Sequence, residues 1–120
     1  GTDLTIIALG RMVEVAKSVA SQTSASLEIV DPITISPLDI KTLTASAQKT
    51  GKVLILTEAV TRSGISGEIL AQLVVAGFSG AIKRLGGQFM PISAAKSVEL
   101  AQVPTVDAIL ATIDKMMKEV

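Results

Sequence analysis

IVDPITISPLDIKTLTASAQKTGKVLILTEAVTRSGISGEI, residues 29–69, is the stretch whose reading decides the fold. Leu27-Glu28-Ile29-Val30 reads as a strand that Pro32 ends, because proline has no N–H to give a sheet ladder. Ser36-Pro37-Leu38-Asp39 reads as a helix start. Ser36 takes the N-cap, Pro37 the first helical position, and Asp39 completes the S-x-x-D signature at the positive end of the helix dipole. The helix then runs from about Pro37 to Lys49, with Gly51 just beyond, where a left-handed closing residue is wanted. Val53-Leu54-Ile55-Leu56-Thr57 is an apolar run of strand length, as expected of a strand covered on both faces. After Glu58, Thr61-Arg62-Ser63-Gly64 is turn-like, and Ile65, Ile69, Leu73 and Ala76 recur at helical spacing until near Gly77. Strand, helix, strand, helix is one wound α/β unit.

The pattern continues on both sides. Leu4 to Leu9 is a short apolar strand closed by Gly10, and Met12, Val15, Ala16 and Val19 mark a helix. Ser24 to Ser26 is a loop. Ala81-Ile82-Lys83-Arg84-Leu85 reads as a fourth strand, placed at an edge by its two adjacent charges. Gly86 to Ser97 is turn-rich and irregular. Pro104-Thr105 opens the last helix, with Thr105 as cap and Asp107 in the first turn. Its inner stripe is Val106, Ile109, Leu110, Ile113, Met116 or Met117, and Val120, while Lys115 and Lys118 suit its C-terminal end. The alternation predicts a single domain over residues 1–120: an α/β fold, a three-layer α/β/α sandwich around a mostly parallel sheet of about four to five strands with right-handed crossovers.

Composition excludes several functions. With 48% of 120 residues apolar, the chain can bury one core. Eleven basic and eleven acidic residues cancel, which leaves no electrostatic footprint for nucleic acid or an anionic membrane. There is no Cys and no His, so the chain lacks a disulfide framework, the best metal-binding side chains, the most reactive nucleophile and the commonest general base. Neither a membrane-spanning run nor a signal peptide is evident, and a cytoplasmic location is expected.

Ligands of open parallel sheets collect at the carboxyl ends of the strands, where strand order reverses. If the first strand lies beside the third, that rim offers Gly10, Arg11, Glu58, Arg62 and Ser63, either as a seat for a small anion or nucleotide or simply as a solvated Glu58–Arg62 ion pair. Gly64-Ile65-Ser66-Gly67 could bring backbone N–H groups to a phosphate, or could serve close helix packing. It lacks both the G-x-G-x-x-G spacing and a Walker ending. Asp31 and Asp39 are accounted for by turn and capping chemistry, and the two adjacent methionines by core or interface filling.

The residues Asp31-Pro32-x-Thr34-Ile35-Ser36-Pro37-Leu38-Asp39, Lys49-Thr50-Gly51-Lys52, Thr57-Glu58-Ala59 and Gly64-Ile65-Ser66-Gly67-Glu68-Ile69, in this order and spacing, resemble the C-terminal, transketolase-type domain of the beta subunit of thiamine-diphosphate-dependent 2-oxoacid dehydrogenases. Pyruvate, branched-chain and acetoin dehydrogenases belong to that family. The resemblance runs from Gly1-Thr2-Asp3-Leu4-Thr5-Ile6 to Val103-Pro104-Thr105-Val106-Asp107-Ala108-Ile109. It implies a piece of a longer beta subunit that binds no cofactor itself, thiamine diphosphate and magnesium being held elsewhere in the parent enzyme. It implies as partners the alpha subunit, a second beta subunit and the dihydrolipoyl acyltransferase, with a homodimer of the isolated domain as a further expectation. On this resemblance the domain serves assembly and docking and is inactive alone. Two departures stand out: Thr57 where many relatives place a His before Glu-Ala, and Met90-Pro91-Ile92 where they place an aromatic or His after the second proline.

Overall fold

Four strands, β1 (Leu4–Ala8), β2 (Leu27–Val30), β3 (Lys52–Val60) and β4 (Ala81–Gly87), run parallel in the order β2-β1-β3-β4 in the computed structural model, which describes residues 1–119. Helices α1 (Met12–Ala20), α2 (Ile40–Thr50), α3 (Ile65–Val75), α4 (Lys96–Gln102) and α5 (Val106–Lys118) complete the chain. The expected α/β sandwich is present.

The period of two along a strand sorts the apolar residues into two layers. Leu4, Ile6 and Ala8 of β1 with Leu54 and Leu56 of β3 face α1 and α5, against Met12, Ala16, Ile109, Ile113 and Met116. Ile7, Val53 and Ile55 face the other way, against Leu43 and Ala47 of α2 and Ile69 and Leu73 of α3. Because β1 and the first part of β3 are covered on both faces, they show no polar alternation. Full burial of each such Leu or Ile contributes about 1.5–3 kcal/mol, which is what holds the helices to the sheet. One polar residue sits among them. Thr5 Oγ1 lies 3.0 Å from Ser46 O, 3.0 Å from Ser46 Oγ and 2.8 Å from Thr50 Oγ1, so its buried hydroxyl is satisfied by α2.

Three details differ from the sequence reading. Helix α2 opens at Ile40, not Pro37, and its N-cap is Asp39 instead of Ser36. The Asp39 carboxylate accepts from Thr42 N at 3.1 Å and from Thr42 Oγ1 at 2.6 Å, an arrangement that a serine hydroxyl matches less well than an ionised group. Those bonds hold the Asp39 carboxyl below its ordinary pKa. Strand β4 continues through Gly86 to Gly87, and β3 reaches Val60, which pairs with Gly87 after a register shift. Glycine is required there: a Cβ on Gly86 would strike the Ala59 carbonyl oxygen, and one on Gly87 would sit 2.6 Å from that of Glu58. Helix α4 begins at Lys96, within the stretch that reads as irregular, and fills the gap before Pro104. On α5, Met116 is the buried methionine and Met117 the exposed one, while Val120 lies outside the described residues.

Other signals hold. Thr105 Oγ1 accepts from Ala108 N at 3.2 Å, and Gly51 closes α2 at φ +72°. Lys52 Nζ donates to Met116 O and Glu119 O at 2.7 and 2.9 Å, closing the carbonyl end of α5.

Candidate functional site

From β1 the chain crosses to β2 on one side and afterwards to β3 on the other, so the strand order reverses between the carboxyl ends of β1 and β3. Gly10 turns the chain out of β1 at φ +60°, which places Arg11 at the start of α1 over this rim. Arg11 Nε lies 3.1 Å from Glu58 Oε1 on β3, with the two side chains 53% and 44% exposed. Glu58 is therefore paired with Arg11 and not, as the spacing suggested, with Arg62. The Arg62 guanidinium instead stacks over Phe89, 4.9 Å from the ring centroid. Ser63 holds a left-handed conformation at φ +59° in the turn before α3. Of the five rim residues, the fold brings Arg11 and Glu58 into contact. Gly10 and Ser63 shape the two turns, and Arg62 belongs to a neighbouring contact.

The glycines before α3 are explained by packing. A Cβ on Gly64 would strike the Val60 carbonyl oxygen, so the turn can close on β3 only with glycine there. Ser66 points into the interior, where its hydroxyl is fully buried and without a hydrogen-bond partner among the described residues.

Sequence reasoning missed the element that builds the other half of this rim. Gln102, at the end of α4 and 9% exposed, donates from Nε2 to Pro91 O at 2.9 Å and accepts from Ser93 N at 3.2 Å through Oε1. Its backbone carbonyl takes Gln88 N at 3.0 Å. These three bonds clip the segment leaving β4 against α4, and a cleft of about 290 Å³ remains between that segment and the end of β3, with Glu58, Val60, Met90, Ile92, Glu99 and Val103 among its lining. The outer surface of this region is apolar. Phe89 is 68% and Ile92 83% exposed, and Met90, Val98 and Leu100 are exposed too. The available signal is the cluster of Phe89, Met90 and Ile92 around Pro91, just past Gly86-Gly87, with no helical or strand period.

At the opposite end of the sheet, Glu28 gathers Lys49 Nζ at 2.6 Å, the N-terminal ammonium at 2.9 Å and Ser46 Oγ at 3.2 Å. The Lys49 ammonium first, and then the chain's own N-terminus, bring its carboxyl down to about 2. Among the described residues, no group of three His, Cys, Asp or Glu is arranged to hold a metal ion, and no helix is long and apolar enough to cross a membrane.

A parallel sheet of order 2-1-3-4, with helices on both faces and a half-exposed ion pair at its reversal point, defines the class: an α/β domain wound from crossover units. The family described as transketolase, C-terminal domain, matches residues 1–109, and the chain belongs to it. The chain is 33% identical to the pyruvate dehydrogenase E1 component subunit beta of Bacillus subtilis, over 98% of its own length and 38% of that subunit. It is 31% identical to the acetoin:2,6-dichlorophenolindophenol oxidoreductase subunit beta of the same organism, over 99% of the chain and 36% of the relative. A 2-oxoisovalerate dehydrogenase subunit beta from Pseudomonas aeruginosa is 38% identical over 59% of the chain and 20% of the relative. The chain thus spans little more than a third of the first two relatives. Its backbone also matches a solved split-gene transketolase described as an inactive beta4 tetramer, with TM-score 0.84, 24% identity, and coverage of 98% of this chain and 40% of that one, a likeness of fold.

Proposed function

We propose that this chain is the C-terminal domain of the beta subunit of a thiamine-diphosphate-dependent 2-oxoacid dehydrogenase, located in the cytoplasm, and that its work is assembly. It meets the alpha subunit and a second beta subunit, and it docks the dihydrolipoyl acyltransferase. The parent enzyme decarboxylates pyruvate or a related 2-oxoacid and passes the acyl group to a lipoyl arm, while this domain by itself is inactive. The observation that carries the reading is the exposed apolar surface of Phe89, Met90, Ile92, Val98 and Leu100, on a chain whose full length aligns with part of such beta subunits. An apolar surface of that kind, outside the domain's own core, supports a contact with another polypeptide.

In this reading thiamine diphosphate and its magnesium are held outside this chain. The cleft at the strand ends is lined by Glu58 and Glu99 and by no Lys or Arg, so it offers a diphosphate no cation of the protein's own. No catalytic step is assigned to this chain. The rim also favours assembly over a free-standing anion site, since Arg11 is engaged by Glu58 and Arg62 by Phe89.

The test has three parts: sedimentation of the purified chain, titration with the subunit-binding segment of the acyltransferase, and a pyruvate turnover assay. Self-association or segment binding at micromolar concentration, without turnover, is the expected result. A monomer that binds no segment, or a chain that turns over pyruvate alone, would sink the reading.

A further inference from the structure

The cleft between the end of β3 and the segment 88–103 differs in charge from the rest of the rim. Both of its carboxylates are acidic contributions without a basic counterpart in the lining: Glu58 and Glu99 face it, and no Lys or Arg does. Glu58 is shared with Arg11, which does not line the cleft. Glu99 has no ion pair among the described residues, Lys96 three residues before it on α4 included. Between the carboxylates the walls are apolar, formed by Val60, Met90, Ile92 and Val103. At about 290 Å³ the space falls at the lower limit for a small-molecule site, too small for a nucleotide and suited to one long side chain.

Resting on the reading that this chain meets other polypeptides, we propose that the cleft seats a single basic side chain, lysine or arginine, presented by a neighbouring polypeptide with apolar residues on either side of it. The aliphatic stem lies along Val60, Met90, Ile92 and Val103, and the cationic head reaches Glu99 and the free oxygen of Glu58. The apolar flanks of the partner segment cover Ile92, which lines the cleft and stands exposed. Gln102 makes the site preformed, because its three bonds fix the wall before any partner arrives. Charge complementarity selects the occupant: an anion would meet two carboxylates, and a neutral apolar side chain would leave Glu99 desolvated and unpaired.

A heteronuclear NMR titration of the 120-residue chain tests this with three capped tripeptides, Leu-Arg-Leu, Leu-Gln-Leu and Leu-Glu-Leu, and with n-butylguanidinium as a free cation. The arginine peptide should shift the amides of Gly87, Glu99 and Gln102 saturably, with the glutamine peptide about 5-fold weaker and the glutamate peptide weaker still. Glu99→Gln, at an exposed position, should reduce arginine-peptide affinity about 5-fold and leave glutamine-peptide affinity unchanged. Glu99→Lys, which supplies its own cation, should block the arginine peptide. Equal responses to the arginine and glutamate peptides, shifts that map elsewhere, or n-butylguanidinium binding as tightly as the peptide would overturn the proposal. The titration needs no other subunit, so its failure and a failure of the assembly reading are separate results.

Discussion

Ile33→Asn should make this protein more stable, although it replaces an isoleucine with a polar residue. Ile33 sits at φ +60°, and Thr34 N donates to Pro32 O at 2.6 Å across it, so Ile33 is the apex of a γ-turn. A γ-turn with positive φ at its apex is rare and strained; such a φ costs an L-residue about 1–2 kcal/mol, and a β-branched side chain lies at the upper end of that range. Nothing on the side chain offsets the cost. It is 87% exposed, and its small covered remainder is worth about 0.3 kcal/mol at the usual value for a buried isoleucine. The hydrogen bond that fixes the turn, Ile33 N to Asp31 Oδ1 at 3.0 Å, uses the backbone and survives the substitution. Asparagine, unbranched at Cβ, meets positive φ with less crowding than isoleucine, so about half the strain is relieved and the net gain is about 0.5–1 kcal/mol, or about 2–5 °C in Tm for a domain of this size. Urea unfolding followed by circular dichroism reads it as a higher midpoint with an unchanged slope. Ile35→Asn is the control, since Ile35 is 52% exposed and has no positive φ, and it should give no gain. A midpoint that falls for Ile33→Asn, or rises equally for Ile35→Asn, would refute the strain argument.

Three further outcomes follow from named contacts. Because the folded-state pKa of Glu28 is depressed from 4.5 to about 2, the ionised pair with Lys49 stabilises the fold above about pH 4.5, and that contribution is lost as pH falls towards 2; Glu28→Gln should flatten the stability-versus-pH curve in this window, and an unaltered curve would contradict the assignment. Gly86→Ala forces β4 away from the Ala59 carbonyl oxygen and should cost about 1–3 kcal/mol in urea melts, with amide protection lost first between β3 and β4; wild-type stability would show that the two strands separate freely there. Ser66→Ala removes a buried hydroxyl with no partner among the described residues and should leave stability unchanged or raise it by about 1 kcal/mol, whereas a loss above that size would mean the hydroxyl has a partner in solution.

The fold was readable because its two layers rest on signals that are local in sequence. The apolar run Val53–Leu56, of strand length and just after Gly51, reads as a strand covered on both faces, and Ile109, Ile113 and Met116 repeat at the helical period. Where the reading slipped, two local signals competed. Ser36 and Asp39 are both acceptable caps, and the choice fell to Asp39 because Thr42 stands three residues beyond it with both a backbone N–H and a hydroxyl to donate. Gly86-Gly87 looked like the start of a loop, since glycine weakens a strand. Its real reason lies across the sheet, in the carbonyls of Ala59 and Glu58, and a single strand's sequence does not display its neighbour's carbonyls.

The site follows the same division. Its residue types could be read, but the pairing could not, because pairing depends on which of two arginines the topology brings within reach of Glu58. Arg62 is nearer in sequence, four residues on, but the turn through Ser63 and Gly64 carries it towards Phe89. Arg11, 47 positions before Glu58, is delivered by the adjacency of β1 and β3. The consequence is chemical and not only geometric. An unpaired arginine at the reversal point would have made the rim a seat for anions, whereas an arginine held by Glu58 leaves Glu99 as the uncompensated charge of the neighbouring cleft. The preference of this surface for a cationic partner is therefore set by a contact between residues far apart in the chain, and Arg11→Ala should strengthen it by freeing Glu58: tighter binding of the Leu-Arg-Leu peptide is the expected change, and weaker binding would show that Arg11 itself organises the cleft.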